Sequence, residues 1–358
     1  MPSLAPRGRA AIVGALGALV VAAEASAESG DFEPSFSGRF GLESRWYPQS
    51  PAHAGQRSHA TGFIAEPTLF LEDDEGRSFT LTPFFRFDGA DSRRTHADLR
   101  EAYLLLFGEL GEGEWEARLG VDRVFWGVAE LYNPVDIVNQ ADLVEHPDGK
   151  TKLGQPMAHF TFAGDWGTAE LFALPGHRER TFPGRHGRLR SGLVVDPALV
   201  EYESGAEERH LDVAARYSHS FGLLDIGLSV FDGTSREPSI RPVLRPLLDP
   251  TGAPVRNPDT GQPVLVPEAS LAPYYPQIRQ FGLDAQITAE SFLLKLEAIH
   301  RAGAPNVPSP RHPFGEEEDF TAFVIGGEYT VYSLFESALD LSMLGPGNGT
   351  PPSQDAAS

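Results

Sequence analysis

The chain has no cysteine, so neither a disulfide framework nor a thiolate metal site is open to it. It is short of positive charge: 29 lysines and arginines stand against 50 aspartates and glutamates, a formal net charge of -21. Such a balance argues against nucleic acid as a partner. It does not argue against a membrane, because a barrel buries its apolar belt in lipid and keeps its acids in lumen and loops. No apolar run approaches the ~20 residues of a spanning helix. Enzyme signatures are missing as well, with neither Gly-x-Ser-x-Gly nor His-Glu-x-x-His. His210, Ser218 and His219 fall on one stretch, but Ser218 and His219 are adjacent and face opposite sides of a strand. His159 and His300 stand alone. No enzymatic role and no cofactor is expected.

At the N-terminus a secretory signal peptide is expected over residues 1–27. Arg7 and Arg9 form its charged region, Ala10 to Ala23 its apolar region and Ala25-Ser26-Ala27 its cleavage site. The rest is turn-rich, with 30 prolines and 37 glycines, as many short strands require.

The chain is organised around Glu114 to Gln155. Trp115, Ala117, Leu119 and Val121 share one side of its first half, while Glu114, Glu116, Arg118 and Asp122 share the other. That alternation predicts a half-buried strand. It stops at Gly127, and Asn133-Pro134 then predicts a helix start, with Asn133 as N-cap and Asp136 near the positive helix end. Thirteen strands of this kind are expected, at about 35–47, 61–72, 77–88 and 97–107, then from Glu114, then at 156–163, 168–175, 210–219, 223–231, 277–289, 291–302, 319–331 and 333–344. Pro67 and Pro83 fall inside two of them and predict bulges. Connections alternate long and short without exception, the pattern of a transmembrane barrel. A soluble sandwich has no reason to collect every long loop at one end.

The expected fold is therefore all-β, an antiparallel transmembrane β-barrel over 28–344. A partly helical loop at 128–155 is folded into its lumen, and a disordered tail occupies 345–358. An odd strand number and a non-aromatic end at Ser358 predict a C-terminally truncated barrel of fourteen to sixteen or more strands. The alternative is one miscounted strand in a complete barrel with a polar tail.

Leu-Arg-Glu-Ala-Tyr at 99–103, Arg-Leu-Gly at 118–120, Arg-Val-Phe-Trp-Gly at 123–127 and Asn-Pro-Val-Asp at 133–136 carry a resemblance. Over about 97–155 the chain resembles porin-like outer-membrane barrels of Gram-negative bacteria, in the style of the alginate-export channels. The resemblance implies a barrel, an outer-membrane location and solute passage; it transfers no catalytic residue and names no substrate.

Two sets of side chains are candidates for function. Arg118, Asp122, Arg123, Glu130, Asp136 and Asp142 are expected at the lumen or its constriction. Arg123 breaks strand parity: either a bulge near Gly120 turns it inward, or it lies at headgroup level. The acids, with Glu145, fit a solvated constriction better than a Ca²⁺ site, since their spacing matches no EF-hand. Trp126 and Phe125 are expected in the interfacial aromatic girdle. In the most basic run, 177–190, Arg178, Arg180, Arg185, Arg188 and Arg190 either draw anions to a pore mouth or pair with anionic surface sugars and phosphates. The function expected is passive passage of small polar or anionic solutes, with a non-conducting structural or adhesive barrel as the alternative. Expected partners are the lipid bilayer, surface lipopolysaccharide, small solutes and the outer-membrane assembly machinery.

Overall fold

The computed structural model describes residues 32–305 and 315–330. The signal peptide, the thirteenth expected strand at 333–344 and the tail lie outside the described residues. In chain order the strands are β1 (Glu33–Trp46), β2 (His59–Glu72), β3 (Ser78–Asp88), β4 (His96–Leu110), β5 (Gly113–Asp122), β6 (Gln155–Gly164), β7 (Gly167–Pro175), β8 (Val194–Val195) and β9 (Glu201–Tyr202). They continue with β10 (Leu211–Phe221), β11 (Leu224–Thr234), β12 (Ser239–Pro246), β13 (Leu265–Tyr275), β14 (Gln277–Ala289), β15 (Phe292–Pro305) and β16 (Glu317–Tyr329). The protein is all-β. Among the described residues there is no α-helix, only three 3₁₀ turns.

Twelve strands make one antiparallel sheet in the order β1-β2-β3-β4-β5-β6-β7-β10-β11-β14-β15-β16. These are the first twelve strands expected from alternation. Short turns at 73–77, 111–112, 165–166, 222–223 and 290–291 alternate with long connections at 47–58, 89–95, 123–154, 176–210 and 235–276. In a meander this puts every short turn at one end of the sheet. Gly111 and Gly222, both at φ 65, supply the left-handed residue that a two-residue hairpin turn needs. Of the two strand prolines, Pro83 sits at a register shift where Arg100 of β4 bulges out of the ladder. At Pro67 the β2–β3 pairing lapses between Ala65 and Leu69 without changing register.

The 176–210 and 235–276 connections, expected as loops, build a second sheet. β12 pairs antiparallel with β13, which takes β8 and β9 in parallel. Pro242, Pro246, Pro267 and Pro273 lie within β12 and β13. They are poor ladder residues and conceal these strands from an alternation reading.

The large sheet has its amphipathicity inverted. On one face Arg86, Arg100, Asp122, Asp212, Asp284 and Glu297 are buried; on the other Phe85, Phe87, Leu171, Phe281, Phe323 and Ile325 are exposed. The buried charges are matched across strands, as in Arg86–Glu43 (2.7 Å) and Arg216–Asp284 (3.0 Å). The sheet also curls. Lys152 accepts a hydrogen bond on its carbonyl from Arg100 of β4 and reaches Asp136 with Nζ at 3.1 Å. Two residues before Asp136, the carbonyl of Pro134 accepts from Gln280 of β14. In a flat sheet β4 and β14 would stand about 29 Å apart at ~4.8 Å per strand. The polar face must therefore wrap around this segment. β1 and β16 are the two edges, and among the described residues they are not paired to each other.

The wrapped segment, 123–154, which contains nearly all of the loop expected at 128–155, is not helical. Asn133 caps no helix; its Nδ2 donates to the carbonyl of Trp126 at 2.7 Å. Side chains of the sheet take over what helical hydrogen bonds would have done. Glu297 accepts from the amides of Val128 and Ala129, Arg236 donates to the carbonyl of Val138, and Arg94 to that of Val144. Gly127, at φ 100, stands where the backbone passes so close to Glu297 and Asn133 that a Cβ would collide with both. Val135, Ile137 and Val138 then pack with Trp126 on Phe172, Leu174 and Ile278 in a small apolar core at the inner face.

Candidate functional site

The candidate site is the interior that the curled sheet and the infolded segment enclose together. Arg118, on the inner face of β5, holds Glu116 at 2.7 Å and Asp122 at 3.3 Å. Asp122 is buried and anchors the segment: Oδ1 accepts from the Arg123 amide, and its carbonyl accepts from Asn139 Nδ2. Arg123 faces inward. Its Nε and Nη2 both donate to Glu101 Oε1, at 3.1 and 2.6 Å. No bulge at Gly120 turns it, since β4 and β5 pair in unbroken register there; β5 ends at Asp122 and releases Arg123 from parity.

The acids of the infolded segment are mostly buried ion pairs and not a solvated ring. Asp142 is fully buried, with Arg100 Nη2 and Thr181 Oγ1 both at 2.7 Å. Burial works to raise its pKa, yet the hydrogen bonds from His96, Thr181 and Arg100 and the Arg100 charge hold it well below the ordinary carboxylate range. Asp136 faces Lys152, but there burial prevails and its pKa is raised. Glu130 is open, 2.9 Å from Lys295, and so is Asp148, 2.9 Å from His146. His96 Nε2 lies 3.8 Å from Asp142 Oδ2 and 3.9 Å from Glu145 Oε1, the one metal-like grouping among the described residues. Arg100 and Arg86 already neutralise its two carboxylates, at 2.7 and 2.5 Å, and would oppose a cation there.

Trp126 does not belong to an outer girdle. It is 2 % exposed, edge-on to Phe172 in the inner apolar core, because strand parity ended at Asp122. Phe125 is exposed but lines the interior. His159, isolated in sequence, is hydrogen-bonded to Glu170 and stacked on Phe172.

The basic run is divided in its duties. Arg178 binds Asp98 at 2.7 Å and the carbonyl of Gly154. Arg188 donates to the carbonyls of Gln49 and Ser50, and Arg190 to those of Arg185 and Ala54, which pins the 47–58 connection to this run. Arg185 is exposed beside Gly55. Arg180 reaches inward.

Two cavities of about 640 Å³ or more flank the segment. One, of about 720 Å³, lies against β1 to β4. Seven lysines and arginines line it (Arg39, Arg45, Arg86, Arg100, Arg123, Lys150 and Lys152) against four glutamates. The other, of about 640 Å³, lies between the segment and Arg180, Arg236, Glu237 and Arg301. Lys150, Lys152 and Phe125 line both. In an acidic chain, these two cavities are lined by more cations than acids. Sequence parity finds Arg86, but not Arg100, which a bulge turns inward, nor Arg236, which lies beyond the end of a strand. No protein-family model, no curated protein and no solved structure matches this chain.

Proposed function

We propose that this protein is a porin-like β-barrel of a Gram-negative outer membrane that lets small polar or anionic solutes pass passively. The observation that carries the reading is the inverted sheet. Charged side chains are buried against an enclosed interior, while Phe85, Phe281, Phe323 and Ile325 stand out on the opposite face. Water penalises so large an apolar surface, and lipid does not. In lipid the edges of β1 and β16 must also be satisfied, by each other or by strands outside the described residues, which makes closure part of the proposal. Short turns on the periplasmic side and long connections outside agree with the alternation of the loops. The signal peptide expected from the sequence fits this address, and lipopolysaccharide would meet the exposed connections.

Excess positive charge along the cavities favours anions among the solutes. The test is conductance of the purified, full-length protein in a planar bilayer. Stepwise insertion, with a reversal potential displaced toward chloride in a KCl gradient, is the expected result. Protein that inserts but carries no current would overturn the channel. It would favour a structural or adhesive barrel, a reading that the second sheet over the loop end also accommodates.

A further inference from the structure

Arg180 lines the cavity of about 640 Å³ and has no counterion among the described residues. Its Nε donates to Gln140 Oε1 at 3.2 Å, and its amide donates to the Tyr275 hydroxyl at 2.7 Å. No carboxylate of the described residues lies within salt-bridge reach of its guanidinium. Glu237 is the nearest in charge, but Arg301 binds that group at 2.5 Å. The other acids of the cavity are engaged too: Asp136 by Lys152, Glu130 by Lys295 and Asp148 by His146. Beside Arg180 the same cavity is lined by Arg236, which Asp212 already neutralises at 2.5 Å but whose Nη2 makes no hydrogen bond within the chain. Enclosing a guanidinium with terminal nitrogens unmatched is costly unless an anion completes it.

Part of the lining has another character. Leu131 and Tyr132 of the infolded segment project into the cavity and are 96 % and 56 % exposed. They are not on the outer apolar face of the sheet, so lipid does not account for their exposure. A cavity of about 640 Å³ with cationic and apolar lining matches the size and make-up of small-molecule sites.

We propose that this cavity binds small organic monocarboxylates. The carboxylate takes the forked donors of Arg180 with Arg236 beside it, and the apolar body lies against Leu131 and Tyr132. A planar two-oxygen anion suits a guanidinium better than a spherical one does. As a step in transport the site rests on the channel reading; as a binding site it stands apart from it, and the two are tested separately.

Benzoate is the probe, titrated by calorimetry into the detergent-solubilised full-length protein, with acetate and inorganic phosphate as comparisons. Benzoate is expected to bind more tightly than acetate. Arg180→Gln is expected to weaken benzoate about tenfold, the loss of one charge-assisted fork, while Arg185→Gln leaves it unchanged. Leu131→Ser, at a side chain too exposed to matter for folding, should weaken benzoate and leave acetate alone. Arg180→Lys serves should the glutamine variant fail to fold; it keeps the charge, loses the fork, and is expected to bind benzoate more weakly. Benzoate binding that is absent, or that ignores both Arg180 and Leu131, overturns the site. Phosphate binding as tightly as benzoate through Arg180 overturns the carboxylate class. A conducting protein without benzoate binding removes this inference alone; benzoate binding without conductance removes the channel alone.

Discussion

At the scale of single residues the interior is held by charges that have lost their water and found one another, and His177 shows where this leaves a pH dependence. Its Nδ1 receives a hydrogen bond from Arg236 Nη1 at 3.1 Å, so the ring proton is on Nε2, which has no partner within the chain. The ring packs edge-on to Tyr275 at 4.6 Å and lies near Tyr202. Burial, then the charges of Arg236 and His210, push its pKa well below that of a free histidine. An exposed histidine takes up a proton below about pH 6.5 and the buried one does not. The loosened state then binds more protons, and the packing weakens as pH falls below that value. Glu179 works the other way: burial raises its pKa, so acid favours its buried form, in a lower window starting from the ordinary glutamate value. Protection factors at 201–210, that is exchange corrected for the intrinsic pH dependence of amide exchange, are expected to fall between pH 7 and 6, and His177→Phe should abolish that change. Equal pH sensitivity in the variant would remove His177 as the cause. None of this was legible in the sequence, where His177 reads as the first residue of a solvated basic run. Its neighbours Arg236 and Tyr275 come from distant connections that no local pattern links.

Among the elements, what alternation could see and what it could not divide cleanly. The twelve strands of the large sheet each keep one polar and one apolar side, so period two reveals them to within a few residues. β12 and β13 do not, since they lie over the loop end and carry prolines where a regular ladder would want amides. The infolded segment was legible as an element because alternation stops at Gly127. Its conformation was not, because the partners of its amides and carbonyls are side chains from β14, β15 and the connection after β11. Asn133-Pro134 is a sound helix start only when nothing else claims the backbone. The segment lines both of the larger cavities, and its removal is a direct test of its role. Deleting 131–150 is expected to raise single-channel conductance, provided the barrel assembles. Unchanged conductance and selectivity would mean that solutes pass without meeting it. Asp142→Asn is a milder form of the same test. Asp98 lies 2.9 Å from Arg100, near enough to share its charge, so the loss should be about 1–3 kcal/mol of docking and not the larger cost of a stranded buried cation. Faster proteolysis within 143–150 is the expected readout, and a cleavage rate equal to wild type would show that Asp142 does not anchor the segment.

For the whole molecule the decisive property is which side of the sheet faces what, and the four tryptophans are placed to report it. Trp46 ends β1 at the long-connection end and is 73 % exposed, while Trp166 lies in the turn between β6 and β7 and is 47 % exposed. Trp115, two residues into β5, stacks on Phe160 of the outer face. These three sit toward opposite rims of the apolar face, where indoles with one wet edge collect at a bilayer interface. Trp126 is 2 % exposed on the inner side, packed beneath the infolded segment. Single-tryptophan variants, with the other three changed to Phe, are expected to divide accordingly in vesicles of brominated lipid. Trp46, Trp115 and Trp166 should be quenched, more by bromines placed near the headgroups than by bromines deep in the acyl chains, and Trp126 should be quenched by neither. Acrylamide in the water should also leave Trp126 bright. The opposite pattern, with Trp46 and Trp166 open to acrylamide and untouched by bromine, would place the apolar face in water or against another protein. The bilayer reading would then fall, whatever the conductance of the preparation.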